Sequence, residues 1–333
     1  MTRETRRKVA VVTGGTAGVG RAAVRELAGR GYDVAVLARG EAGLRGAAAD
    51  VRAAGARALP LPADVADEDA VRRAADRTEA ELGPIDVWVN AAFCGALAFS
   101  WDTGMEEWRR INDVTYLGQV HGTLAALERM RPRDRGVIVN VGSAMAYRSI
   151  PLQAPYCAAK HAVKGFTESV MSELAHEKSK VKLCMVQLPG LNTPQFTWNL
   201  NKLGKHPMPV PPVFQPELAG RAIAHLAERP RRNLWVGLST AYTILGERLA
   251  PKIMDLYLGR SGVESQQTGE DLPRLGPNLF DPGDDAEDQG ARGPFDDRAH
   301  TRDPLLELSL RRSAVLGIAA ALGATAAAAL SRR

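Results

Sequence analysis

The chain predicts an α/β fold, a doubly wound parallel sheet in a single main domain with a C-terminal extension. Three observations carry this reading. Short β-branched runs alternate with longer Ala/Arg/Glu segments of helical periodicity, the pattern of βαβ units. The β-branched runs are apolar throughout, as strands buried on both faces must be. Gly31, Gly55, Gly83 and Gly136 fall between the pieces, where helix ends call for glycine.

The elements follow in order. Residues 9–12 read as the first strand and 21–30 as the first helix. Strands are expected at 34–37 and 58–61, then a helix over 68–82. A strand at 87–89 precedes a long helix over 106–130. A strand at 137–141 leads, through Gly142 and Ser143, to a helical segment opened by Tyr156. Strands at 181–186 and 235–236 complete the sheet. The pattern fades after about residue 260. Residues 261–304 are rich in Gly, Pro, Asp and Glu and are expected to form a linker or an extended arm draped on the domain. Residues 305–333 form the last unit, a C-terminal apolar helix. Its uncharged stretch 313–331 is bracketed by Arg311–Arg312 and Arg332–Arg333, so it is expected either to anchor the chain in a membrane or to form an Ala-rich helix that packs on the domain or a second subunit, or frays.

Composition narrows the function. The 333 residues are 45% hydrophobic, enough for a large core. Net charge is +5, yet residues 264–303 hold eleven acidic against four basic side chains. Arginines are scattered along helical segments and aromatics are 5%, so no nucleic-acid surface is expected. Cys94, Cys157 and Cys184 form no C-x-x-C pair, which fits a reducing compartment, and no His/Cys spacing points to a metal. The apolar run at 9–12 is too short for a signal-peptide core, so the catalytic domain is expected on the cytoplasmic side.

The first strand runs into Thr13-Gly14-Gly15-Thr16-Ala17-Gly18-Val19-Gly20 and then a helix. Glycines there permit a tight turn and close approach of backbone to a pyrophosphate, which the helix N-terminus attracts. This makes the sheet Rossmann-type. The second strand ends Ala38-Arg39. An arginine without a carboxylate at that edge suits a ribose 2′-phosphate, so NADP(H) is the expected cofactor, although Glu41 stands two residues on. Tyr156 and Lys160, four apart, share one helix face. An ammonium beside a phenol favours the phenolate, so Tyr156 can exchange a proton with a substrate oxygen while hydride moves at carbon. Ser143 lies at a strand's carboxyl end, where it can hold that oxygen.

Together these residues resemble the short-chain dehydrogenase/reductase family, classical type, over residues 8–237. The glycines match at Gly14, Gly18 and Gly20. The resemblance assigns Asp64-Val65 to the adenine, Asn90-Ala91-Ala92 to the family's N-N-A-G motif, with Phe93 in the last glycine position, and Pro189, Gly190 and Thr193 to the nicotinamide side. Thr13, Val19 and Arg39 join these as cofactor residues. Ser143, Tyr156 and Lys160 match the catalytic set. Where the family often carries a catalytic Asn, within V-N-x-x-G, this chain has Val114-Thr115-Tyr116-Leu117-Gly118. Thr115 therefore takes the place of a side chain that helps hold a water in a proton relay. The implied activity is hydride transfer between nicotinamide and a small-molecule carbonyl or alcohol, lipophilic if Phe196, Trp198, Leu200 and Met208 form an apolar lid rather than packing on the domain. A homo-oligomer is expected. The alternative is a catalytically weak or inactive NADP-binding regulatory or scaffold protein of the same fold. A sugar epimerase or dehydratase would show T-G-x-x-G-x-x-G, which this chain lacks.

Overall fold

The structure, a computed structural model, describes residues 6–271 and 275–311. Seven strands form one parallel sheet: β1 Val9–Thr13, β2 Asp33–Ala38, β3 Ala58–Pro62, β4 Ile85–Asn90, β5 Val137–Val141, β6 Lys182–Gln187 and β7 Asn233–Trp235. Their order across the sheet is β7-β6-β5-β4-β1-β2-β3. The α/β, doubly wound expectation holds. β1 sits centrally, with Val11 opposite Ala35 on one side and Trp88 on the other.

Successive side chains of a strand point to opposite faces. Ala10, Val12, Val34, Val36, Val87 and Val89 belong to one core, Val9, Val11, Ala35, Leu37, Ile85 and Trp88 to the other. The first core is closed by α1 (Gly18–Gly29) and α2 (Glu41–Ala53), the second by α3 (Glu68–Glu81). The expected long helix over 106–130 is interrupted. α4 (Met105–Asn112) passes through a π turn, Asp113–Leu117, into α5 (Gly118–Met130). The wide turn centres on Thr115, whose hydroxyl leaves the helix to bond the Cys94 backbone. α6 (Ala154–His176) covers the second core and α7 (Pro216–Glu228) the first, followed by α8 (Leu238–Leu249) and α9 (Pro251–Ser261).

Beyond α9 the acidic stretch packs on the domain. Ala299–His300 pairs in parallel with Val213–Phe214. Asp303 caps α10 (Pro304–Leu310) through the Leu305 amide and accepts 2.6 Å from the Gly237 amide. Leu306 of α10 is fully buried in the first core. An apolar-poor segment thus gains its order from polar contacts to distant residues and from a few apolar side chains, Leu279, Phe295 and Leu306, set into the domain. The stretch 313–331 lies outside the described residues, and among those described no helix is long and apolar enough to cross a membrane.

Candidate active site

A cleft runs along the carboxyl ends of the strands, crossing the point between β1 and β4 where the winding direction reverses. It holds about 1490 Å³ of space between atoms, open mouth included. Gly14, Gly18, Val19 and Gly20 line its middle, Arg39 and Val65 one end, and Ser143, Tyr156, Lys160, Pro189, Gly190 and Thr193 the other.

The glycine loop is built for close approach. A Cβ on Gly20 would collide with the Gly14 carbonyl, so only glycine lets α1 begin this near to β1. The resulting cradle, with a helix N-terminus behind it and clefts to both sides, fits a dinucleotide.

Ser143 lies two residues past β5, and its Oγ accepts from the Met145 amide at 3.1 Å. Tyr156 and Lys160 stand one turn apart on α6, which starts at Ala154 with Pro155 in its first turn. Lys160 Nζ donates 2.7 Å to the Val141 carbonyl and lies 5.5 Å from the centre of the Tyr156 ring. Burial pushes the Tyr156 phenol above its ordinary value, and a hydrogen bond with Ser143 partly offsets this. Burial pushes the Lys160 ammonium down to about 7. Desolvation disfavours the charged form of each group, so the site holds a neutral phenol beside a lysine that gives up its proton more readily than a free one.

Other residues sit differently from the motif reading. The Asn90 side chain turns into the protein. It donates to Asn140 Oδ1 (2.8 Å), Thr123 Oγ1 (3.0 Å) and the Gln119 carbonyl (3.3 Å), and accepts from Trp88 Nε1 (2.7 Å). It ties β4 to β5 and α5, and its neighbours Ala91 and Ala92 line the cleft instead. Thr13 is likewise buried, its hydroxyl accepting from the Ala91 and Ala92 amides at 3.2 and 3.3 Å. Thr115 is fully buried and its hydroxyl donates 2.9 Å to Cys94 O while accepting 3.1 Å from Cys94 N. It holds the loop after β4. Asp64 pairs with Arg110 at 2.5 Å and accepts from the Ala66 amide at 2.9 Å. Burial alone would raise its carboxyl, but these bonds and the nearby Arg110 and Arg39 charges hold it below the usual range.

The C-terminal arm is the part sequence reasoning did not place at the site. Arg39 donates to the Phe280 carbonyl (2.6 Å), Asn278 Oδ1 (2.8 Å), and the Asn278 (3.2 Å), Asp281 (3.3 Å) and Leu279 (3.4 Å) carbonyls. Burial, then repulsion from Arg110, lowers its pKa from the ordinary arginine value. The Gly18 amide donates 3.1 Å to Gly290 O, and the buried Arg21 pairs with Asp50 (2.6 Å) and Asp288 (2.9 Å). The Asn278 amide donates 2.7 Å to Trp198 O, and Phe295 meets Phe196 edge-on at 5.9 Å. Phe196 and Trp198 both line the cleft and pack against the arm, whereas Leu200 packs against the second core.

Comparison with known proteins agrees with this geometry. A family model described as short chain dehydrogenase matches residues 8–202. An uncharacterized oxidoreductase, YxnA, of Bacillus subtilis (strain 168) is 30% identical over 286 residues, 85% of this chain and 80% of its own length. A 3-oxoacyl-[acyl-carrier-protein] reductase of Bos taurus is 35% identical over 59% of this chain and 80% of its own. Among solved structures, an actinorhodin polyketide ketoreductase variant with NADPH superimposes with a TM-score of 0.62 at 28% identity, covering 69% of this chain and 95% of that one. An alcohol dehydrogenase from Thermococcus sibiricus (TM-score 0.60, 23% identity, 69% and 96% covered) shares the fold.

Proposed function

The chain belongs to the short-chain dehydrogenase/reductase family, and from that membership we propose that it is an NADP(H)-dependent reductase or dehydrogenase of lipophilic carbonyls and alcohols. It is an oxidoreductase that works on a carbonyl/alcohol pair with a nicotinamide cofactor. The observation that carries the finer reading is the convergence of Ser143, Tyr156 and Lys160 on the end of the cleft away from Arg39. Ala38-Arg39 at the end of β2, and the NADPH in the ketoreductase likeness, support NADP(H) over NAD(H). The residues suited to hold the dinucleotide are Gly14, Gly18, Val19 and Gly20 at the pyrophosphate, Arg39 and Val65 at the adenosine, and Pro189, Gly190 and Thr193 at the nicotinamide. We read residues 1–260 as the dehydrogenase domain and 261–304 as an arm that serves it.

A nicotinamide held by Pro189, Gly190 and Thr193 would supply or accept the hydride. In the reducing direction the neutral Tyr156 phenol donates its proton to the substrate oxygen, to which the Ser143 hydroxyl also donates a hydrogen bond. The ammonium of Lys160 stabilises the phenolate left behind. Phe196 and Trp198 keep water from the reacting atoms and favour apolar substrates. Thr115 acts by holding the Cys94 loop, not by touching substrate. That departure from the family's Asn is what favours the second reading, an NADP-binding protein with weak turnover.

The test is fluorescence-monitored NADPH oxidation over a panel of aldehydes, ketones and ketosteroids. Tyr156→Phe abolishes turnover while still binding NADPH. Turnover retained in that variant would move the proton transfer elsewhere. Cofactor binding without turnover in the unmutated protein would favour the weak-turnover reading.

A further inference from the structure

We propose that Asp284, brought in by the C-terminal arm, is the cofactor-discriminating residue at the adenosine ribose: it accepts a hydrogen bond from a free ribose hydroxyl and repels a 2′-phosphate. The inference rests on the assignment of Arg39 to the adenosine end.

β2 ends in Ala38-Arg39 and offers no acid at its edge. The arm supplies one. Asp284 is 5% exposed and lines the same cleft as Arg39. Its Oδ2 is buried with no hydrogen-bond partner among the described residues. A buried carboxylate oxygen without a donor is costly, and a ribose hydroxyl is a donor of the right kind. The carboxylate rests on Gly40 and Gly43, where a Cβ at either position would collide with it, and beside Thr16. It is therefore seated in the fold at the start of α2, not waving over it. The neighbouring amides are already taken, since Gly43 N donates 3.0 Å to Asp284 O and Ala42 N 3.1 Å to Asp285 O.

A 2′-phosphate meets two obstacles here. It must face the Asp284 carboxylate, and like charges brought together cost several-fold in affinity. It must also take Arg39 from the carbonyls of Asn278, Leu279, Phe280 and Asp281. The Asp284 carboxylate therefore favours a ribose bearing free hydroxyls. NADP(H) binds at Arg39 only as residues 278–284 move away, so the arm couples cofactor choice to its own release.

Three measurements on the full chain test this. The affinities of NADPH and NADH are read by fluorescence titration for the unmutated protein, Asp284→Asn and Asp285→Asn, and amide exchange is followed over residues 278–290. Asp284→Asn is expected to tighten NADPH by about tenfold or more and to weaken NADH by about threefold or more. Asp285→Asn leaves the ratio unchanged. Arm amides exchange faster with NADPH than with NADH. A ratio that moves less than about threefold in Asp284→Asn, or that moves equally in Asp285→Asn, overturns the proposal. So does arm exchange that is the same with both cofactors. The two readings fail separately. A protein that prefers NADH yet gains NADPH on Asp284→Asn keeps this inference and loses the NADP(H) assignment. One that prefers NADPH and ignores the substitution does the reverse.

Discussion

Replacing Asn90 by alanine should cost stability and spare cofactor binding. The Asn90 carboxamide accepts from Trp88 Nε1 at 2.7 Å, and Trp88 is fully buried. Without it the indole N–H has no acceptor, a loss of about 1–3 kcal/mol. Asn140 Oδ1 loses its 2.8 Å donor but keeps Thr123 Oγ1 at 3.2 Å, so that side of the network is weakened rather than orphaned. The small void adds about 1 kcal/mol. The sum is about 2–4 kcal/mol, and a large domain loses about 2–4 °C of Tm per kcal/mol, so Tm should fall by about 4–16 °C. Thermal melts followed by circular dichroism measure this, alongside NADPH titration well below the transition. A Tm within about 2 °C of the unmutated protein, together with lost NADPH binding, would refute the argument, since the side chain would then reach the cofactor.

Two further outcomes follow from buried ionisable groups. Lys160 is pushed down to about 7 by burial from 10.5, so between those pH values the unfolded chain holds a proton that the folded chain has released. Stability therefore rises with pH across that window, and the penalty is fully present below pH 7. The Tm of Lys160→Met minus that of the unmutated apoprotein should accordingly decline from pH 7 to pH 10; a difference that grows with pH contradicts this. Burial also raises the thiols, Cys94 to about 12 and Cys157 and Cys184 to about 11. The native chain should resist iodoacetamide at pH 8 and react at all three positions in denaturant, and any thiol alkylated in the native state would show an opening the buried geometry does not allow.

The central strands were legible because they are short, β-branched and apolar on both faces, the edge strands β3 and β7, which lack β-branched residues, only by their place in the alternation, and the glycine loop because no other residue type suits so close a turn. Ser143, Tyr156 and Lys160 were legible because chemistry and position agree: a strand end, and one helix face. The inward turn of the Thr13 and Asn90 side chains was not legible, for one physical reason. A motif gives a residue's place along a strand, but the side the side chain takes depends on partners elsewhere, here Thr123 and Asn140. The π turn at Thr115 was hidden because its cause, the Cys94 backbone, is 21 residues away. The arm was hardest. Its low apolar content argued rightly against a core of its own, yet its acids find Arg21 across 267 positions and its backbone finds Arg39 across about 240. One local trace existed: Gly40, Gly43 and Gly46 at spacing three clear one face of α2, and Asp284 and Asp288 fill it.

The arm also sets the order in which the site can come into being. Translation delivers the glycine loop and β2 first, and residues 278–290 more than two hundred positions later. A nascent chain halted short of residue 278 carries Gly18 with its amide unclaimed by Gly290, Arg39 unclaimed by the arm's carbonyls, and α2 without Asp284 on its glycine face. Without residues 278–290, the groove at the end of β2 lacks Asp284 and leaves Arg39 without its carbonyl acceptors. With the arm in place, Asp284 lines that groove.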